Sequence, residues 1–136
     1  MVIDASVAAA WYLRSQATAS ATALYRRGES EQFFAPIHFA VEMRNVLLLG
    51  ERRGTLAPGE TNVLMTKLGV LVDIERGDAA VEADGALEIA RQTGLKLYDA
   101  IYLAKALRDG MSLASRDGQL LTAAMAVGVD VFDARR

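Results

Sequence analysis

Met1-Val2-Ile3-Asp4-Ala5-Ser6-Val7-Ala8-Ala9-Ala10-Trp11-Tyr12-Leu13 opens the chain with a β-branched pair, an acid and an alanine-rich stretch. Val2-Ile3 predicts a brief buried strand, because β-branched side chains suit a pleated surface and the run stops at once. Alanine, the strongest helix former, predicts helix from about Ser6, and a second helical stretch spans about Ala17 to Arg27, closed by Gly28. The same strand-to-helix alternation recurs outward from this start. Phe33-Phe34-Ala35 before Pro36 reads as a second strand. A helix from about Ile37 to Arg53 follows, carrying Phe39, Met43, Val46, Leu47 and Gly50 on one stripe and stopping at Gly54. Pro58 predicts the opening of the next helix and Val70-Leu71-Val72-Asp73-Ile74 a third strand. Asp78 to Gly94 reads as helix, and Asp99 begins another that ends at Gly110. Met111-Ser112-Leu113-Ala114 is strand-like, Asp117 to Val127 helical, and Val129-Asp130-Val131-Phe132 a last strand. Strands alternating with helices, without hairpin signals, predict parallel pairing through right-handed crossovers. The expectation is one α/β domain over residues 1–136.

Composition narrows the function. The chain is 52% hydrophobic and 24% charged, a globular balance. Its 15 Lys+Arg against 17 Asp+Glu give a net charge of −2, which argues against attachment to nucleic acid or membrane by bulk positive charge. With no cysteine, disulfides, thiolate catalysis and cysteine-ligated metals are excluded. One histidine, His38, makes multi-histidine metal sites and histidine triads poor candidates. No apolar run approaches the roughly 20 residues of a membrane helix, and the N-terminus lacks the basic region of a signal peptide. A cytoplasmic location without membrane contact is expected.

In open parallel sheets, ligands bind beyond the carboxyl ends of the strands, where strand order reverses. Asp4 follows the first strand, Asp117 follows the strand ending at Ala114, and Asp99 stands at a helix start. Each has a plain alternative as a helix cap. Glu42 lies at the edge of its helix's apolar stripe, beside Phe39 and Val46 and one turn from Asn45; its plain reading is a solvated surface acid. If the four carboxylates converge, repulsion requires protons or divalent cations to neutralise them. An all-oxygen cluster without histidine or cysteine selects hard ions, Mg²⁺ or Mn²⁺.

These segments resemble the PIN domain family. Val2-Ile3-Asp4-Ala5-Ser6 looks like the family's opening. Glu42 within Ala40-Val41-Glu42-Met43-Arg44-Asn45-Val46-Leu47, then Leu97-Tyr98-Asp99-Ala100-Ile101-Tyr102-Leu103-Ala104 and Leu113-Ala114-Ser115-Arg116-Asp117, complete the set in order. The likeness covers essentially the whole chain, and its length suits the VapC-type toxins of toxin–antitoxin pairs. The resemblance implies a three-layer α/β/α fold with a central five-stranded parallel sheet. It also implies a Mg²⁺- or Mn²⁺-dependent endoribonuclease whose metal ligands are Asp4, Glu42, Asp99 and Asp117. Ser6 and Ser115 match positions whose hydroxyls support a carboxylate or water, and serine at 115 departs mildly from a frequent threonine. Asn45 is a further polar neighbour of Glu42. A homodimer and a cognate antitoxin partner are implied as well.

Arg44 and Arg116, next to the acidic motifs, are the candidates for RNA or antitoxin contact. Arg26-Arg27 and Arg52-Arg53 read as helix-end charges. His38 reads as a structural or solvated residue rather than a proton shuttle. Trp11, Tyr12 and Tyr25 could stack bases but read more simply as packing anchors. A haloacid-type phosphoryl-transfer site wants an acid where Ser6 stands, and a receiver domain has only Asp73 as a loose acceptor. The chain is too short for the arch of flap nucleases. The main rival is a non-catalytic PIN-like module that binds RNA or a protein partner.

Overall fold

The computed structural model describes residues 1–136. In chain order it runs β1 (Val2–Ile3), α1 (Ala5–Tyr12), a short 3₁₀ turn (Arg14–Gln16), α2 (Ala19–Arg27), β2 (Phe33–Ala35), α3 (Phe39–Arg52) and α4 (Glu60–Leu71). It continues with β3 (Val72–Ile74), α5 (Ala79–Thr93), α6 (Leu97–Asp109), β4 (Leu113–Ser115), α7 (Gly118–Ala126) and β5 (Val131–Asp133). The five strands form one all-parallel sheet in the order β3-β2-β1-β4-β5. The chain therefore lays β2 and β3 to one side of β1, then crosses back to place β4 and β5 on the other. With right-handed crossovers, that reversal puts helices on both faces. Helices α1 to α4 pack against one another, while α6 and α7 pack over β1, β4 and β5 and α5 packs against α6. The expected three-layer α/β/α architecture is what forms.

Very short strands suffice because the sheet is buried on both sides. Val2, Ile3, Phe33, Ala35, Leu113 and Ala114 are fully buried, and a cluster of 32 buried apolar residues runs through both layers. In register, Val2 stands opposite Phe34 and Leu113, and Ile3 opposite Ala114. The next rung sets Asp4 beside Ser115, its amide donating to the Ala114 carbonyl at 3.2 Å.

Several element boundaries differ from expectation: β4 and β5 start two residues later and end one residue later than read from the sequence, at Leu113–Ser115 and Val131–Asp133. The apolar run at 70–74 is not all strand: α4 continues through Leu71, and Val70 is 78% exposed on its last turn. Helix α4 starts at Glu60 rather than at Pro58, because Gly59 takes a left-handed φ of 84° and stands as the cap. Helix α6 starts at Leu97, so Asp99 lies inside its first turn instead of opening it. No helix is long and apolar enough to cross a membrane.

Candidate active site at the reversal of strand order

β1 and β4 are the neighbours between which strand order reverses, and their ends carry Asp4 and Asp117. Asp4 is buried and its two carboxylate oxygens are divided between two serines. Oδ1 accepts from the Ser6 hydroxyl at 2.6 Å and from the Val7 amide at 3.1 Å, which also caps α1. Oδ2 accepts from the Ser115 hydroxyl. Each serine oxygen in turn accepts a backbone amide from the turn after β4: Arg116 N–H to Ser6 and Asp117 N–H to Ser115, both at 2.9 Å. The two hydroxyls thus latch that turn onto Asp4. Burial still lifts the Asp4 carboxyl to about 6, against the opposing effect of these hydrogen bonds, and Glu42 repels it further.

Asp117 caps α7, its Oδ1 accepting the Gln119 and Leu120 amides at 2.8 and 3.1 Å. Asp4 and Asp117 therefore both cap the helices that follow them, the plain reading of each. Asp99 is different. It lies in the first turn of α6, whose cap residue Lys96 makes no side-chain bond. Burial raises its carboxyl first, then the charges of Asp117 and Glu42, with Lys96 and His38 opposing. Glu42, in the first turn of α3, has a buried Oε2 without a hydrogen bond, although His38 Nε2 stands 3.2 Å away in poor alignment. The Tyr102 hydroxyl is also buried without a well-aligned partner. Burial raises it well above the usual phenol range, followed by the charges of Glu42, Asp4 and Asp99.

Four carboxylates therefore share one electrostatic neighbourhood, and no lysine or arginine forms an ion pair with any of them. They are not drawn into a ligand set: no three acids or imidazoles gather closely enough to hold a metal ion. Asp4 spends both oxygens on serines, and Asp117 turns one toward its own helix. The donor chemistry is nonetheless that of a hard cation, all oxygen, with the Glu42 Oε2 buried and unbonded.

The remaining expected residues sit as follows. Asn45 and Arg44 are exposed on α3, and Arg44 donates to the Ala40 carbonyl at 2.6 Å. Arg116 is half-buried, its Nη1 donating to Gln16 at 3.3 Å while its Nε is buried and unpaired. With Asp117 it edges a groove of about 1090 Å³ that also includes Gln92, Gln119, Thr122 and Arg135. Trp11 donates to the Ala21 carbonyl at 2.8 Å and packs with Tyr25 and Phe33, so this aromatic set anchors α1 and α2.

Glu82 was not among the expected site residues. From α5 it accepts the Ile37 and His38 amides at 2.6 and 3.2 Å, and its Oε1 stands 3.5 Å from His38 Nδ1. His38 consequently lies between Glu82 and Glu42. An acid in the first turn of a helix reads locally as dipole compensation, and no spacing in the sequence distinguishes it.

An open parallel α/β sheet with uncompensated carboxylates at its switch point defines an acidic-site α/β/α domain. The sequence matches the PIN domain over residues 1–124, and the chain belongs to that family. Among solved structures it is similar to PAE2754 from Pyrobaculum aerophilum, with 20% identity, a TM-score of 0.72, and 96% of this chain and 87% of that one covered. It is similar to FitAcB from Neisseria gonorrhoeae, with 20% identity, a TM-score of 0.64, and 99% and 98% covered. A third is VapC20 of Mycobacterium tuberculosis, described as a sarcin–ricin loop cleaving toxin, with 19% identity, a TM-score of 0.61, and 94% and 95% covered. No curated protein sequence matches significantly.

Proposed function

We propose that this chain is a Mg²⁺- or Mn²⁺-dependent endoribonuclease of the VapC type, the cytoplasmic toxin of a toxin–antitoxin pair. The observation that carries the reading is the carboxylate group itself. Burial raises the Asp4 and Asp99 carboxyls, Glu42 adds to both and Asp117 to Asp99, and no lysine or arginine forms an ion pair with any of the four. Such an arrangement opposes stability, and a site that binds a cation and a phosphodiester gives it a purpose. Family membership and the likeness to a toxin described as cleaving the sarcin–ricin loop add support.

Asp4 and Asp99 would hold the ion, with Glu42 and Asp117 completing its surroundings directly or through water. When bound, it would supply an acidified water and neutralise phosphoryl oxygens. Ser6 and Ser115 hold the Asp4 carboxylate in one orientation, and the turn they latch keeps Asp117 at the rim. Arg116 faces the groove beside Asp117 and would bind a phosphate of the RNA entering there. The uncompensated acids would also accept a basic side chain from the antitoxin. A homodimer would use the outer faces of α3 and α4, where Leu48, Leu49, Val63 and Val70 are exposed.

The test is cleavage of a panel of structured RNAs by the purified protein with Mg²⁺ or Mn²⁺, with EDTA, and with Asp99→Asn. Metal-dependent cuts that fall to background in the variant are expected. Equal cutting by wild type, Asp4→Asn and Asp99→Asn would place the chemistry elsewhere. Well-folded protein that binds these RNAs without cutting them would favour the non-catalytic module.

A further inference from the structure

Tyr98 immediately precedes Asp99 in the first turn of α6, and it is 66% exposed, more than any other aromatic residue here. One face of its ring is already occupied. It stacks on the His38 imidazole with centroids 5.8 Å apart and planes inclined by 28°. His38 in turn packs on the buried Tyr102 ring at 4.7 Å. A column of three rings therefore rises from the core to the surface, and its middle member stands 3.2 Å from Glu42 Oε2. Glu82 fixes the middle of that column by accepting the His38 amide.

Exposure of one ring is ordinary on a protein surface; what sets Tyr98 apart is its place, backed by His38, which reaches Glu42, with its outward face open to solvent. The His38 contact restricts the ring, so a partner stacking on its open face meets a smaller ordering cost than on a free side chain. The partner must be flat and must accompany a phosphodiester into the acidic site. A nucleobase meets both demands, and stacking on aromatic rings is tolerant of base identity. We propose that Tyr98 is the stacking platform for an unpaired base next to the scissile phosphate. The inference rests on the ribonuclease reading above. Tyr98 positions the substrate and takes no part in bond breaking.

The probe is a set of short single-stranded oligoribonucleotides with 2-aminopurine at successive positions, titrated with the protein in Ca²⁺ to slow hydrolysis. Wild type should quench the fluorophore at one or two adjacent positions. Tyr98→Leu keeps an apolar cover over His38 but offers no ring; it should remove the quench and weaken binding by about five- to 150-fold. Tyr98→Trp and Tyr98→Phe should restore both. In Mg²⁺, Tyr98→Leu should raise KM more than it lowers kcat. Equal quenching and affinity in the leucine variant, or no quenching by wild type at any position, would overturn the proposal. So would a leucine variant impaired only in antitoxin binding. Quenching that depends on Tyr98 in a protein that never cuts RNA would remove the nuclease reading and leave the platform standing.

Discussion

Asp4 carries the largest electrostatic cost in the site, because its carboxylate is buried and meets hydroxyls and an amide but no cation. Its carboxyl titrates near 3.8 in the unfolded chain and near 6 in the folded one. Below pH ~4 both states are protonated and nothing is lost. As pH rises toward 6 the unfolded chain releases this proton while the folded protein keeps it, so folding stability falls. A rise of about two pH units corresponds to roughly 3 kcal/mol lost by neutral pH. Asp99 pulls the same way. In EDTA, chemical denaturation between pH 4 and 7.5 should therefore show wild type losing stability relative to Asp4→Asn, with the variant the more stable at pH 7.5. Added Mg²⁺ should stabilise wild type and leave the variant unmoved. Parallel curves for the two proteins would mean that the folded carboxyl is ionised at ordinary cost. The same substitution should abolish cleavage, so stability and activity move in opposite directions.

Helices α3 and α4 begin without side-chain caps of their own, and each takes a glutamate from another helix. Glu82 on α5 accepts the amides of Ile37 and His38 ahead of α3, and Glu51 on α3 accepts those of Gly59 and Thr61 at the start of α4. Both devices join residues from different helices, which is why local signals missed them. Pro58 advertised a helix start that the left-handed Gly59 moved to Glu60, and Val70-Leu71 looked like strand because a short apolar run is equally a helix end. By contrast, Val2-Ile3, Phe33–Ala35 and the glycine stops at Gly94 and Gly110 were legible, since their signal is local. Glu82→Gln keeps the size but leaves one of two amides without an acceptor. It should destabilise the fold by about 1–3 kcal/mol, read as a lowered thermal midpoint, and disorder the His38–Glu42 contact. An unchanged midpoint would show that water replaces the lost acceptor. Glu51→Gln is the matched control, far from the acids.

At the scale of the whole molecule, topology does what no single residue reveals. Asp4 and Ser115 are 111 positions apart in the chain and meet because β1 and β4 are parallel neighbours across the reversal. Residue type and order were enough to list the acids. Their partition was not: Asp117 turned to its helix, Asp99 without a cap role, and Glu42 facing His38 are consequences of packing angle. Charge is distributed on the same logic. Five of the 15 basic residues, namely Arg27, Arg91, Lys105, Arg108 and Arg135, are tied into ion pairs, and the net charge is −2. In the proposed function, the acids at the switch point would repel phosphate until a cation bound among them. RNA binding by such a surface should release few counterions, since Arg44, Lys96 and Arg116 are the only basic residues without an ion pair that flank the acidic motifs. With roughly 0.7 of a counterion per phosphate contact, log Kd against log salt should have a slope between about 1 and 2, measured in Ca²⁺ on a single-stranded oligoribonucleotide. Arg116→Gln should flatten that slope by about 0.7, and Tyr98→Leu should weaken binding without changing it. A steep slope that neither arginine affects would move the RNA track to the outer helices, away from the acids.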